Sequence, residues 1–272
     1  MLGCTSNLHC RPKLNLQINQ AVFKCKFTHS AGHFLASSTS RSQDRTLSDL
    51  IVQQEMNAAR RLIRGVIFDM DGTLTVPVID FAEMRRRVNI PTGDLLDVIA
   101  SWPVEKQEQA KRLIEEVEDE ALEKMALNPG VVELCTLLDT MHIPRALLTR
   151  NTAKAVQYFH DQHFLSQLLP PFTPALARDF MPYKPSPAAV LHICKGWGIS
   201  PTDAVVIGDS AKDDVVCGNR AGAATILLDE EGRSLEEIGL LGEQVPTFVA
   251  RSLHDVAVLL KEKFELRPKN GV

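Results

Sequence analysis

The chain has 272 residues, 44% hydrophobic and 24% charged, with 15 Gly, 15 Pro and a formal net charge of −4. Those proportions exclude collagen-like, coiled-coil and wholly disordered chains, and no run approaches the roughly 18 consecutive apolar residues of a membrane-spanning helix. They suit one large soluble domain, or a domain carrying an insert.

The charge is unevenly spread. Residues 1–43 contain no Asp or Glu, and Arg11, Lys13, Lys24, Lys26 and Arg41 give them +5. Residues 44–272 therefore carry −9, from 25 basic and 34 acidic side chains. An acid-free, basic, Ser/Thr-rich start that ends in Ala36-Ser37-Ser38-Thr39-Ser40 reads as an organellar transit peptide; it lacks the compact apolar segment of a secretory signal. Two of its five basic residues are Arg, which favours chloroplast, with mitochondrion as the alternative. We expect 1–43 to stand outside the fold and 44–272 to form the domain. The acidic balance of that domain argues against a nucleic-acid partner. Its cysteines, Cys135, Cys194 and Cys217, have no metal-ligand spacing and read as buried reduced thiols.

In chain order, a helix is expected from Leu47 to Ile63, then a buried strand Gly65–Phe68 stopped by Asp69-Met70-Asp71-Gly72. A charged helical insert follows over 78–128. In its second half Val104, Ala110, Leu113, Ile114, Val117, Ala121, Leu122 and Met125 make one apolar stripe, and Glu115, Glu116, Glu118, Asp119 and Glu120 read as a solvated face. Beyond Pro129-Gly130, helices (131–141, 152–164, 186–197, 214–221, 253–264) alternate with strands (145–149, 175–177, 204–207, 224–228, 247–250). Nearly all-apolar strands separated by helices predict an α/β fold, a Rossmann-like doubly wound parallel sheet covered on both faces. Ligands of such sheets sit at the carboxyl ends of the strands, so the polar residues there carry the chemistry.

Those residues are Asp69 and Asp71, then Thr149-Arg150-Asn151, then Asp209-Ser210, with Lys184-Pro185 between. Together FDMDGTLT at 68–75, LLTRN at 147–151, KPSP at 184–187 and GDSAKDD at 208–214 resemble the haloacid dehalogenase-like (HAD) hydrolase superfamily, four motifs in the expected order. With the leader, the chain looks like a plant organellar phosphatase of that superfamily, the insert forming a small helical cap.

The resemblance implies a hydrolase of small phosphorylated metabolites using Mg²⁺. Asp69 would be the nucleophile that becomes an aspartyl-phosphate, and Asp71 the general acid and base. Thr149, Asn151 and Lys184 would bind the phosphate. The metal ligands would be the Asp69 and Asp209 carboxylates and the Asp71 backbone carbonyl. An acid of the last motif would hold metal-bound water; Asp213 and Asp214 are adjacent, and the spacing to Cys217-Gly218 favours Asp214. A sugar-phosphate mutase using the same aspartyl-phosphate, or a noncatalytic phosphoester-binding protein, are the alternatives. Asp71 weighs against dehalogenase and phosphonate-cleaving chemistry, whose leaving groups need no protonation there. Arg178 reads as a loop-holding residue, Trp102 as a packing anchor, and His160 and His163 as core or surface histidines without a third ligand. Of Arg85, Arg86 and Arg87, helical spacing lets only some face inward, so at most part of this run meets a substrate.

Overall fold

The computed structural model describes residues 60–233 and 239–269. Residues 1–43, the expected leader, and the 47–59 part of the first expected helix lie outside the described residues.

Six strands form one parallel sheet: β2 (Gly65–Phe68), β3 (Arg145–Leu148), β4 (Ala175–Leu176), β5 (Ala204–Gly208), β6 (Ala224–Leu228) and β7 (Phe248–Ala250). Their order is β4-β3-β2-β5-β6-β7. The chain winds outward from β2 in one direction and then, from β5, in the other, which places the topological switch between β2 and β5. Alternating side chains feed two cores. Val66, Phe68, Leu147, Val205 and Ile207 pack with Leu134 and Leu138 of α4 (Val131–Thr140), Val156 and Phe159 of α5 (Ala153–Phe159) and Val256 and Leu260 of α8 (Leu253–Lys263). Ile67, Ala146, Leu148 and Val206 pack on the opposite face with Val190 and Ile193 of α6 (Ala188–Trp197) and Cys217 of α7 (Val216–Ala221). This is the doubly wound α/β fold expected from the apolar strands.

Between β2 and α4 lie three helices, α1 (Phe81–Val88), α2 (Leu95–Ala100) and α3 (Val104–Leu122), with a small core of their own. Met84, Val88, Ile90 and Ile99 meet Ala110, Ile114 and Val117, and Trp102 packs against them. Leu122 and Met125 instead join the main core.

Four expectations change. Arg61–Ile63 is not helical but a short strand, β1, paired in parallel with β8 (Phe264–Leu266). For the same reason Phe264 leaves the last helix. Val104 does not join the apolar stripe and is 72% exposed, because it opens α3 past the end of the cap core. Glu118 is not on a solvated face: α3 turns it toward the sheet, where it is 9% exposed.

Candidate active site

The carboxyl ends of β2, β3 and β5 meet at the switch point. The Asp69 amide donates to the Ile207 carbonyl at 2.9 Å, so β2 stays in register up to the last residue before the turn. There the Met70 carbonyl accepts from the amides of Thr73, Leu74 and Thr75 at 3.2, 2.8 and 2.9 Å, folding the chain sharply back. Gly72 makes this possible with φ +81°, and a Cβ there would stand 2.3 Å from Asp209 Oδ2. Gly208 serves the other side, since a Cβ would fall 2.2 Å from the Asp214 carboxyl carbon.

Lys184 is the buried centre of the site. Its Nζ lies 2.5 Å from Asp69 Oδ1 and 2.6 Å from Asp214 Oδ1. The Ser210 amide donates to the other Asp214 oxygen at 3.0 Å. Asp69, Asp209 and Asp214 each offer a carboxylate oxygen, all within 4.8 Å of one another, with Asp209 the exposed member. Burial pushes Asp69 up to about 6, with Asp209 and Asp71 adding to the rise against the pull of Lys184. Burial and the facing Asp214 push Asp209 up to about 6, and burial lifts Asp214 to about 7. Burial alone would lower Lys184; Asp214 and Asp69 outweigh it and hold the ammonium above its ordinary range. Three acids around a single lysine are under-neutralised, and an all-oxygen set of this kind fits a hard divalent cation such as Mg²⁺.

Asp71 faces Asn151, whose Nδ2 donates to both of its carboxylate oxygens. Burial raises the Asp71 carboxyl against these bonds. The buried Thr149 hydroxyl accepts from the Asn151 amide at 3.0 Å, and Asn151 Oδ1 accepts from the Thr152 amide at 2.7 Å. Thr152 in turn caps α5 through the Ala155 amide at 3.0 Å. The structure thus brings Asp69, Asp71, Thr149, Asn151, Lys184, Asp209 and Asp214 together. Asp213 stands apart from the acidic cluster and pairs with Arg150 at 3.2 Å.

A cleft of about 350 Å³ opens over this cluster, roofed by Met84, Arg85, Leu95, Leu96, Ile114 and Glu118. Three residues in or beside it escape the sequence pattern. Arg150 lies inside the LLTRN motif yet carries no local sign of its partners, Asp94 and Asp213. Tyr183, immediately before Lys184, donates from its hydroxyl to Asp97. Glu118 accepts from Arg178 at 2.5 and 3.2 Å across the cleft, so the loop-holding arginine is itself held by the cap. Of the arginine run, Arg86 and Arg87 pair with Glu83, while Arg85 lines the cleft and donates to the Gly93 carbonyl at 2.9 Å. His160 and His163 sit in an aromatic cluster with Phe159, away from the cleft.

The sequence profile of the haloacid dehalogenase-like hydrolases matches residues 63–222, a span that contains every residue of the cluster. A haloacid dehalogenase-like hydrolase domain-containing protein of Arabidopsis thaliana is 46% identical over 225 residues, covering 78% of this chain and 89% of the relative. Phosphoglycolate phosphatase 1 of Pseudomonas aeruginosa is 28% identical over 228 residues, 73% of this chain and 80% of that one. The crystal structure of a hydrolase from Pseudomonas syringae shares the fold with a TM-score of 0.61 at 22% identity, over 74% of this chain and 100% of that chain. With the motif residues gathered at the carboxyl ends of the central strands and the profile spanning most of the described fold, the chain belongs to the haloacid dehalogenase-like hydrolase family.

Proposed function

We propose that the chain is a Mg²⁺-dependent phosphatase that hydrolyses small phosphomonoesters through an aspartyl-phosphate on Asp69. The observation that carries this reading is Lys184 held between Asp69 and Asp214, with Asp209 in the same carboxylate cluster and Asp71 lining the cleft, oriented by Asn151. Phosphate esters repel nucleophiles, so the site's task is charge neutralisation and positioning. Mg²⁺, bound by the Asp69 and Asp209 carboxylates and the Asp71 carbonyl, would offset the charge of the carboxylates and the phosphoryl oxygens. Asp214, paired with Lys184, would hold metal-bound water.

In the first step an Asp69 oxygen forms a bond to phosphorus while the bond to the ester oxygen breaks. Asp71 gives that oxygen its proton, and the alcohol leaves. In the second step Asp71, now ionised, takes a proton from water as the water oxygen bonds to phosphorus. The Asp69–phosphorus bond breaks, returning the carboxylate and inorganic phosphate. Lys184 and the Thr149 hydroxyl serve the phosphoryl oxygens, and Asn151 orients Asp71.

The test is phosphate release by the purified full chain against a panel of phosphometabolites, phosphoglycolate first because a bacterial relative carries that name. Asp69→Asn should abolish turnover while keeping the fold, and excess EDTA should stop the wild type. Wild-type release by the Asn variant, or activity that persists in EDTA, overturns the reading. Phosphoryl return to substrate in place of release would make the protein a mutase, and tight binding without turnover a noncatalytic receptor.

For residues 1–43 we propose a plastid-targeting role, supported by the absence of acids and the Ser/Thr-rich tract. Fused to a fluorescent protein they should deliver it to plastids. A diffuse signal rejects this, and a mitochondrial one replaces it.

A further inference from the structure

Each of three core loops around the cleft carries a candidate catalytic residue flanked by one that reaches outward. Arg150 stands between Thr149 and Asn151, Tyr183 precedes Lys184, and Asp213 precedes Asp214. The flanking residues converge on one spot. Arg150 Nη2 lies 2.7 Å from Asp94 Oδ2 and Nη1 lies 3.2 Å from Asp213 Oδ2. The same guanidinium sits 4.7 Å from the centre of the Tyr183 ring, and the Tyr183 hydroxyl donates to Asp97. Asp94 and Asp97 belong to the first turn of α2: Asp94 caps it, accepting from the amides of Leu96 and Asp97 at 3.1 and 3.2 Å. One planar cation therefore joins the cap helix to the phosphate-side, lysine and last-motif loops together. A lysine could not reproduce the stacked, two-carboxylate geometry.

The exposure of the cluster bears on what it does. The Arg150, Asp94 and Asp213 side chains are 24%, 33% and 28% exposed, and ion pairs that water still reaches contribute little to stability. A weak, multiply bonded joint suits parts that must separate and meet again more than it suits a permanent brace.

We infer that Arg150 is a positioning residue: with Tyr183 it docks the first turn of α2 on the three catalytic loops, so that cap closure and the final placement of Thr149, Lys184 and Asp214 are one event. This rests on the phosphatase reading for its kinetic consequence.

The test compares Arg150→Met, Tyr183→Phe, Asp94→Asn and the double variant Arg150→Met/Asp94→Asn in the full chain. Asn still caps a helix, so Asp94→Asn removes the charge and leaves the cap. Each single change should lower kcat for p-nitrophenyl phosphate by about tenfold, since small misplacements of reacting groups have effects of that order. The double variant should be no slower than the slower single one. Hydrogen exchange of residues 95–100 should accelerate in Arg150→Met, and Arg150→Lys should restore only part of kcat. Unchanged kcat in Arg150→Met, losses that multiply in the double variant, or unchanged exchange of 95–100 overturns the inference. Should Arg150→Met fail to fold, Tyr183→Phe and Asp94→Asn, which change one hydroxyl and one charge, carry the same kinetic and exchange comparison. Failure of the wild type to release phosphate from any substrate would sink the phosphatase reading instead, and exchange in α2 would still decide the docking role.

Discussion

Asn151 lays its side-chain amide across both oxygens of Asp71, with Nδ2 3.2 Å from Oδ1 and 3.0 Å from Oδ2. A residue of the β3–α5 connection thereby fixes the rotamer of an acid in the turn that follows β2. A general acid works only where its proton reaches the leaving oxygen, so loss of this bond should damage chemistry more than binding. Asn151→Ala should lower kcat by about 10–100-fold with little change in KM. Steady-state kinetics on the best panel substrate checks this; an unchanged kcat would remove Asn151 from the site's working parts.

The carboxylate cluster makes metal-free stability depend on pH in a defined direction. Asp69 and Asp209 are raised to about 6 and Asp214 to about 7, from an ordinary 3.8. Raised acids bind protons more tightly folded than unfolded, so the stability they lend is complete below about pH 4 and is lost as pH rises through 6 to 7. In EDTA, Tm should therefore be lower at pH 8 than at pH 6. Mg²⁺ should raise Tm more at pH 8, where it meets ionised ligands. Asp209→Asn should flatten both dependences. A Tm in EDTA that climbs from pH 6 to pH 8 contradicts this account.

Glu118 and Arg178 form a partly buried pair between cap and core. Burial raises the Glu118 carboxyl and Arg178 opposes it, so the pair matters more as a joint than as a source of stability. Glu118→Ala strands a guanidinium that is 24% exposed. Water relieves part of that penalty, leaving a destabilisation of about 1–2 kcal/mol. Thermal melts measure that, and kcat/KM across the panel should change in ranking as well as size, because Glu118 lines the cleft.

Gly208 leaves no room for a side chain against Asp214. β5 is buried on both faces and cannot bow outward, so in Gly208→Ala the Asp214 carboxylate must move off Lys184. Overpacking of this kind should cost about 1–3 kcal/mol in thermal melts. Turnover should fall in parallel; full activity would show that Asp214 tolerates displacement.

The core strands were legible because burial on both faces leaves apolar runs such as Gly65–Phe68 and Ala204–Gly208, with motif residues directly behind them. Lys184 was legible only by resemblance: nothing in Lys184-Pro185 itself announces two buried carboxylates 115 and 30 residues away. Glu118 misled because helical periodicity reports one buried stripe, whereas α3 packs on its cap partners through Ile114 and Val117 and meets the core through its last turn. Arg150 and Tyr183 stayed hidden for a related reason, since their cap partners, Asp94 and Asp97, lie in a segment without motif content of its own. Strand β1 has just three residues, and its partner stands at the far end of the described fold.

That last pairing has a mechanical consequence. Arg61, Leu62 and Ile63 run parallel to Phe264, Glu265 and Leu266. A pull on the chain from its N-terminal side, resisted by the segment beyond β8, loads two parallel strands in shear, so their hydrogen bonds share the force instead of parting one after another. Any machine that threads this protein from its amino end meets that clasp before it reaches the sheet.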